Sequence, residues 1–76
     1  LGEKMSGLKM NVPEERMEEV IGLLPSLTAP TVAPLYRSKF FSVETVVSPE
    51  AVRDLIPRLL AHGAEGIIEY PLNKVV

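Results

Sequence analysis

Apolar and polar residues alternate from Met5 to Val12, with Leu8, Met10 and Val12 on one side and Lys9 and Asn11 on the other. A period of two predicts a strand. The period then lengthens. Met17, Val20, Ile21 and Leu24 recur at i, i+3, i+4 and i+7, the stripe of an amphipathic helix, and the predicted helix covers 14–24. Pro13 suits its first turn, where a missing N–H is harmless. Glu14 and Glu15 complement the positive end of its dipole, and Pro25 stops it at or before Leu24. Strict alternation returns in "KFFSVETVV", the clearest strand of the chain, with Phe41, Val43, Thr45 and Val47 on one face and Phe40, Ser42, Glu44 and Val46 on the other. A second helix follows. Ser48 is its N-cap, Pro49 its first residue, and Val52, Leu55, Ile56, Leu59 and Leu60 its apolar stripe. Pro57 lies inside that stripe and predicts a kink, while His62 and Gly63 end the helix. Ile67 and Ile68 centre a last strand that Pro71 interrupts, and Leu72 to Val76 are expected to add a short stub.

Between the first helix and the strongest strand lies "LTAPTVAPLY", residues 27 to 36, which is uncharged and holds two prolines four residues apart. Val32, Leu35 and Tyr36 are strand formers. Prolines are tolerated in a strand only where the missing donor faces away from the sheet. Pro30 and Pro34 share parity, so one edge loses both donors while Thr31, Ala33 and Leu35 keep theirs for a neighbour. The segment therefore predicts an edge strand, hairpinned through Arg37, Ser38 and Lys39 to the strong strand. Its stiffened lead-in, "LTAPT", offers a hydroxyl and free carbonyls, which suit recognition of a small polar molecule.

The order β, α, β, β, α, β is the split βαβ pattern. It predicts an α+β, ferredoxin-like plait, with two helices on one face of a four-stranded antiparallel sheet. The opposite face would carry apolar Phe40, Val46 and Ile68 in the open, which points to a covering chain. At 76 residues the chain fits one domain near the size where a lone core becomes marginal, so oligomerisation or attachment to a larger protein is expected. The chain begins with Leu1 and reads as a piece of something longer.

Composition narrows the function classes. The net charge of −2 comes with no basic block, which argues against nucleic acid or an anionic membrane as partner. No cysteine is present, so neither a disulfide framework nor a thiolate metal site is expected. No apolar run is long enough for a bilayer and no signal peptide is evident; the expected location is cytoplasmic. Glu14, Glu15, Glu18 and Glu19 form a solvated helix face rather than a metal site, and His62, the only histidine, reads as a helix-end partner. Met5, Met10 and Met17 read as core filler. Glu44 and Glu69 are expected to face the open side of the sheet. A small independent enzyme is disfavoured, since no nucleophile–base pair, phosphate-binding glycine loop or metal spacing is found.

Three blocks, "KMNVPEERMEEVIGLLPSLTAPTVAPLY", "FFSVETVV" and "LIPRLLAHGAEGIIEYPLNKVV", closely resemble the C-terminal regulatory domain of long-form ATP phosphoribosyltransferase. The resemblance covers about 8–76, leaving 1–7 as a leader into the first strand and implying that 1–76 is a single regulatory and oligomerisation domain. It implies an ACT-like fold, also akin to trimeric nitrogen-regulatory proteins. It further implies L-histidine as ligand, bound between neighbouring copies, with feedback inhibition of the first step of histidine biosynthesis. It implies a trimer of these domains within a hexameric parent. Catalysis on ATP and phosphoribosyl pyrophosphate with Mg²⁺ would belong to N-terminal domains, and no cofactor is expected here.

The resemblance also implies site residues. Asn11 falls where relatives often carry an aspartate against the ligand's amino group; asparagine keeps an acceptor oxygen and gives up the charge. Leu27, Ala29 and Thr31 match the loop that wraps the ligand, with serine in some relatives where Ala29 stands. Val46 matches an apolar wall position. Gly66 matches a small residue where backbone approaches the ligand. "YRSKF" at 36–40 replaces an acidic turn and a tryptophan. Independently, histidine's ammonium, carboxylate and imidazole ask for acceptors, donors and a close-fitting slot, and Asn11, Thr31 and loop carbonyls are acceptors. A rival expectation is an assembly module that trimerises through its open face and binds no ligand.

Overall fold

The computed structural model describes residues 5–25 and 29–73. Four strands and two α-helices follow the predicted order: β1 (Ser6–Pro13), α1 (Met17–Leu23), β2 (Thr31–Pro34), β3 (Phe40–Val47), α2 (Pro49–Ala61) and β4 (Glu65–Pro71). The strands form one antiparallel sheet in the order β2-β3-β1-β4. Each helical crossover skips one strand, so β1 and β3 are central and β2 and β4 are edges. This is the ferredoxin-like plait.

Burial shows which face the helices cover. Leu8, Met10 and Val12 of β1 and Val43 and Val47 of β3 are fully buried, with Val20 and Leu24 from the first helical segment, Val52, Leu55 and Leu59 from α2, and Ala64. Met17, Leu23, Ile56 and Ile67 pack on the margin of this core. The alternation set the faces correctly because a strand with one buried side cannot slip by a single residue without exposing its whole apolar set.

The first helical segment is less regular than its periodicity suggests. Residues Glu14–Arg16 form a 3-10 turn, and the α-helix begins only at Met17. Pro13 is the last residue of β1 and holds an extended ψ of 146° at the N-cap position, so it stands outside the first turn. The Glu14 N–H donates instead to the Lys39 carbonyl, 2.8 Å away, tying the helix start to the hairpin. Leu24, before Pro25, is already extended with ψ 144°, as the proline ring demands.

Helix α2 follows its caps closely. The Ser48 Oγ accepts from the Ala51 N–H at 3.4 Å. The helix continues through Pro57, which is exposed together with Arg53; the carbonyl left without a donor thus lies on the solvent side. At the far end Gly63 adopts φ +98°, the left-handed geometry of a helix stop. The His62 Nδ1 lies 2.8 Å from the Arg58 carbonyl, and the Arg16 Nε donates to the His62 carbonyl at 3.0 Å. Arg16 also pairs with Glu19 at 3.2 Å. A guanidinium from the first helical segment thereby meets the negative end of α2.

Strand β2 lies at an edge as its prolines require. The Leu35 N–H donates to the Phe40 carbonyl at 2.9 Å. By alternation Ala33 and Thr31 point their N–H groups the same way, towards β3, and Pro30 and Pro34 turn their missing donors outward. Arg37 closes the hairpin in the left-handed region, φ +49°, and the Ser38 Oγ accepts from the Phe40 N–H. At the chain's end, the Leu72 N–H donates to the Met5 carbonyl at 3.1 Å, but β4 stops at Pro71. Residues 74–76 of the expected stub lie outside the described residues.

Candidate functional site

The sheet face that carries no helix is organised in transverse rows. Register places Thr31 of β2 opposite Glu44 of β3, Glu44 opposite Lys9 of β1, and Lys9 opposite Ile68 of β4. The neighbouring row runs Ala33, Ser42, Asn11, Glu65, and on the other side Val46, Gly7 and Tyr70 form a third. Opposite residues in a ladder share a face, so all of these belong to the uncovered side. Val46 is 36 % and Ile68 55 % exposed, a large apolar exposure for central and edge strands.

Asn11 and Gly66 meet here. The β1–β4 ladder shifts register between Lys9 and Asn11, and Gly66 occupies the irregularity with φ +60°. A bulge with glycine in the left-handed region bends the strand and re-aims its neighbours. A Cβ placed on Gly66 would touch the Asn11 Nδ2 at 3.4 Å; the absent side chain leaves the Asn11 amide bordered by bare backbone. Thr31 is exposed at the opposite edge. Two strand spacings and two residues separate it from Asn11, about 12 Å. Between them stand Ser42 and Glu44. Val46 lies one row further along β3, and Ala29 is exposed just ahead of β2. Leu27 lies outside the described residues.

The two carboxylates expected on this face separate. Glu44 is on it. Glu69 pairs with Leu8 and so belongs to the helix side, where the Ser6 hydroxyl donates to it at 3.2 Å. Ile68 and Glu69 are adjacent and must point oppositely, so Ile68 takes the open face.

A connection that the one-dimensional pattern misses is made by Tyr70. Its ring lies over Gly7, in the volume that a Cβ there would need, and its hydroxyl donates to the Glu44 carboxylate. An aromatic side chain on β4 thus crosses β1 to hold a carboxylate on β3. Gly7 inside a strand was the available signal, since such glycines mark close approaches. The hydrogen bond to Glu44 raises the Tyr70 pKa above its ordinary 10.0, with desolvation and the carboxylate's charge adding to the effect. A raised pKa favours the neutral phenol, so the link is complete at neutral pH and is lost only as pH rises through the tyrosine's shifted range.

The hairpin tip forms one rim. Tyr36 is 83 % exposed, and the Arg37 guanidinium lies 5.1 Å from its ring centre. A cleft of about 240 Å³ opens on the helix side, lined by Leu23, Pro25, Ala51, Asp54, Leu55 and Arg58. It includes none of the candidate residues, and its lining by the end of α1 and by α2 separates it from the polar rows. Among the described residues no three metal-binding side chains converge, and no helix is long and apolar enough to cross a membrane.

Curated relatives are similar along the full length of this chain. An ATP phosphoribosyltransferase of Desulfosudis oleivorans is 68 % identical over 76 residues, covering 100 % of this chain and 26 % of that protein. One from Desulfatibacillum aliphaticivorans is 62 % identical with the same coverage. One from Solidesulfovibrio magneticus is 65 % identical over 74 residues, 97 % of this chain and 25 % of its own length. The chain thus spans about a quarter of the length of the curated relatives it matches. The family described as "HisG, C-terminal domain" matches residues 3–74, and with the plait and its uncovered face in place, the chain belongs to that family.

Proposed function

We propose that this chain is the regulatory domain of an ATP phosphoribosyltransferase, binding L-histidine on the uncovered sheet face where a neighbouring copy closes the site. The reading rests on family membership together with one geometric observation. Asn11, Thr31 and Val46, on three different strands, belong to the face that no helix covers, and Gly66 of the fourth borders Asn11. Asn11 and Thr31 are too far apart, at about 12 Å, to grip one end of an amino acid together. A ligand lying across Ser42 and Glu44, diagonally over two rows, would reach both residues, and a second copy would supply its roof.

In this reading ATP, phosphoribosyl pyrophosphate and Mg²⁺ are handled by the remainder of a cytoplasmic, hexameric enzyme that opens histidine biosynthesis. Histidine inhibits by binding one assembly state more tightly than another, which is all that feedback regulation requires. Calorimetric titration of the intact protein in its native oligomer is expected to show saturable binding of L-histidine and none of leucine or lysine. Silence towards histidine at millimolar concentration, with the oligomer intact by light scattering, would overturn the proposal.

Assembly through the same face is a separable part of it. Val46 and Ile68 are exposed on this face, two strands and one row apart, and burying the part each leaves exposed against a copy would contribute on the order of 1–2 kcal/mol per side chain. Val46→Asp places an unpaired charge in that contact. Light scattering is expected to show a shift from trimer to monomer for this domain; an unchanged trimer would move the interface elsewhere.

A further inference from the structure

A zwitterionic amino acid brings a full positive charge to its site, and Asn11 has none to oppose it. Two carboxylates on this face can oppose it, Glu65 opposite Asn11 on β4 and Glu44 on β3, and of the two only Glu44 lies between Asn11 and Thr31. It stands directly opposite Thr31 and diagonally from Asn11, whose own partner is Ser42. Direct partners are about 5 Å and diagonal ones about 7–8 Å apart, so Glu44 is within a ligand's reach of both. Its carboxylate is exposed and already fixed, because the Tyr70 hydroxyl donates to it from across Gly7.

We infer that Glu44, held in place by Tyr70 over the Gly7 gap, accepts the α-ammonium group of the bound amino acid. This rests on the regulatory reading above and names the group that gives the site its selectivity for an amine.

Three observations carry it. First, Lys9 stands directly opposite Glu44, yet among the described residues the one ion pair is Arg16 with Glu19; the Glu44 carboxylate has a cation nearby but none bonded to it. Second, Tyr70 donates one hydrogen bond and leaves further carboxylate lone pairs for a charged donor, and charge-assisted bonds are the strong ones. Third, if a neighbouring copy covers this face, a carboxylate with no cation bonded to it would be desolvated at considerable cost. A ligand ammonium removes that cost, so binding and closure of the face would reinforce one another. Tyr70 in this scheme is a positioning residue, acting through Glu44.

The test pairs two variants with two ligands. L-histidine and imidazolepropionate differ by the ammonium group alone. NMR-detected titration of the intact protein, which reads millimolar affinities, is run on wild type, Glu44→Gln and Tyr70→Phe, with light scattering confirming the oligomer. Glu44→Gln is expected to weaken histidine about tenfold to hundredfold and to leave imidazolepropionate unchanged. Tyr70→Phe is expected to weaken histidine by less, with the same indifference to imidazolepropionate. If Glu44→Gln binds histidine as tightly as wild type, or loses both ligands equally, the assignment of Glu44 is overturned while the regulatory reading stands. If wild type itself binds no histidine, both fall together.

Discussion

Leu59→Ala is expected to remove about half of the domain's stability, whereas Leu60→Ala, one residue on, should change it by less than about 0.5 kcal/mol. Leu59 is fully buried in the cluster beneath α2, and Leu60 is 55 % exposed on the helix's outer face. Truncating a buried leucine costs about 2–5 kcal/mol through lost burial and the cavity left behind. A chain of this length has about 4–11 kcal/mol in total. The variant should therefore unfold at markedly lower urea, or be partly unfolded without it. The two leucines share the apolar stripe read from the sequence, so the pair tests the orientation of α2 and not merely its hydrophobicity. Equal losses at the two positions would mean that α2 is turned about its axis, or that its outer face is covered.

Much of this fold is legible because a single-sided sheet writes its register into the chain. Leu8, Met10 and Val12, and likewise Val43, Thr45 and Val47, are read directly from alternation and are all buried. The edge position of β2 follows from donor arithmetic at Pro30 and Pro34, and the start of α2 from Ser48. What was misread has local causes. The 3-10 turn at Glu14–Arg16 leaves no mark in hydrophobic period, since three residues are too few to separate 3.0 from 3.6 per turn. Glu69 lies on the helix side although its sequence neighbourhood suggests the open face. Ile67 and Ile68 are both apolar, so the pattern of β4 alone leaves open which of them faces the core; the pairing of Ile68 with Lys9 and of Glu69 with Leu8 decides it.

The candidate site was less legible, for a physical reason. Asn11 and Gly66 are 55 residues apart in the chain and meet only because a bulge aligns them. Tyr70 reaches Glu44 only because Gly7 has no side chain. Contacts across three strands depend on register, and register comes from the fold rather than from any stretch of sequence. The resemblance to known relatives pointed to Asn11, Thr31, Val46 and Gly66 as residues; the rows of the sheet show what lies between them.

Gly66→Val is expected to be strongly damaging to both stability and ligand affinity. Residue 66 holds φ +60°, where a non-glycine residue costs about 1–3 kcal/mol and a β-branched one is a genuine outlier. Space alone does not forbid a side chain, since a Cβ would meet the Asn11 Nδ2 at an ordinary 3.4 Å. The valine methyls would go further and push that amide aside. Backbone strain and steric displacement therefore predict different orders among substitutions. Asparagine tolerates the left-handed region, so Gly66→Asn should lose the least stability, Gly66→Ala more, and Gly66→Val the most, as read by thermal unfolding. Affinity for histidine should fall in Gly66→Asn as well, because its side chain fills the space beside Asn11 even where the backbone accepts it. A Gly66→Val protein as stable as Gly66→Asn would show that the bulge relaxes to an ordinary ladder at no cost, and the close pairing of Asn11 with bare backbone would then no longer be something the fold enforces.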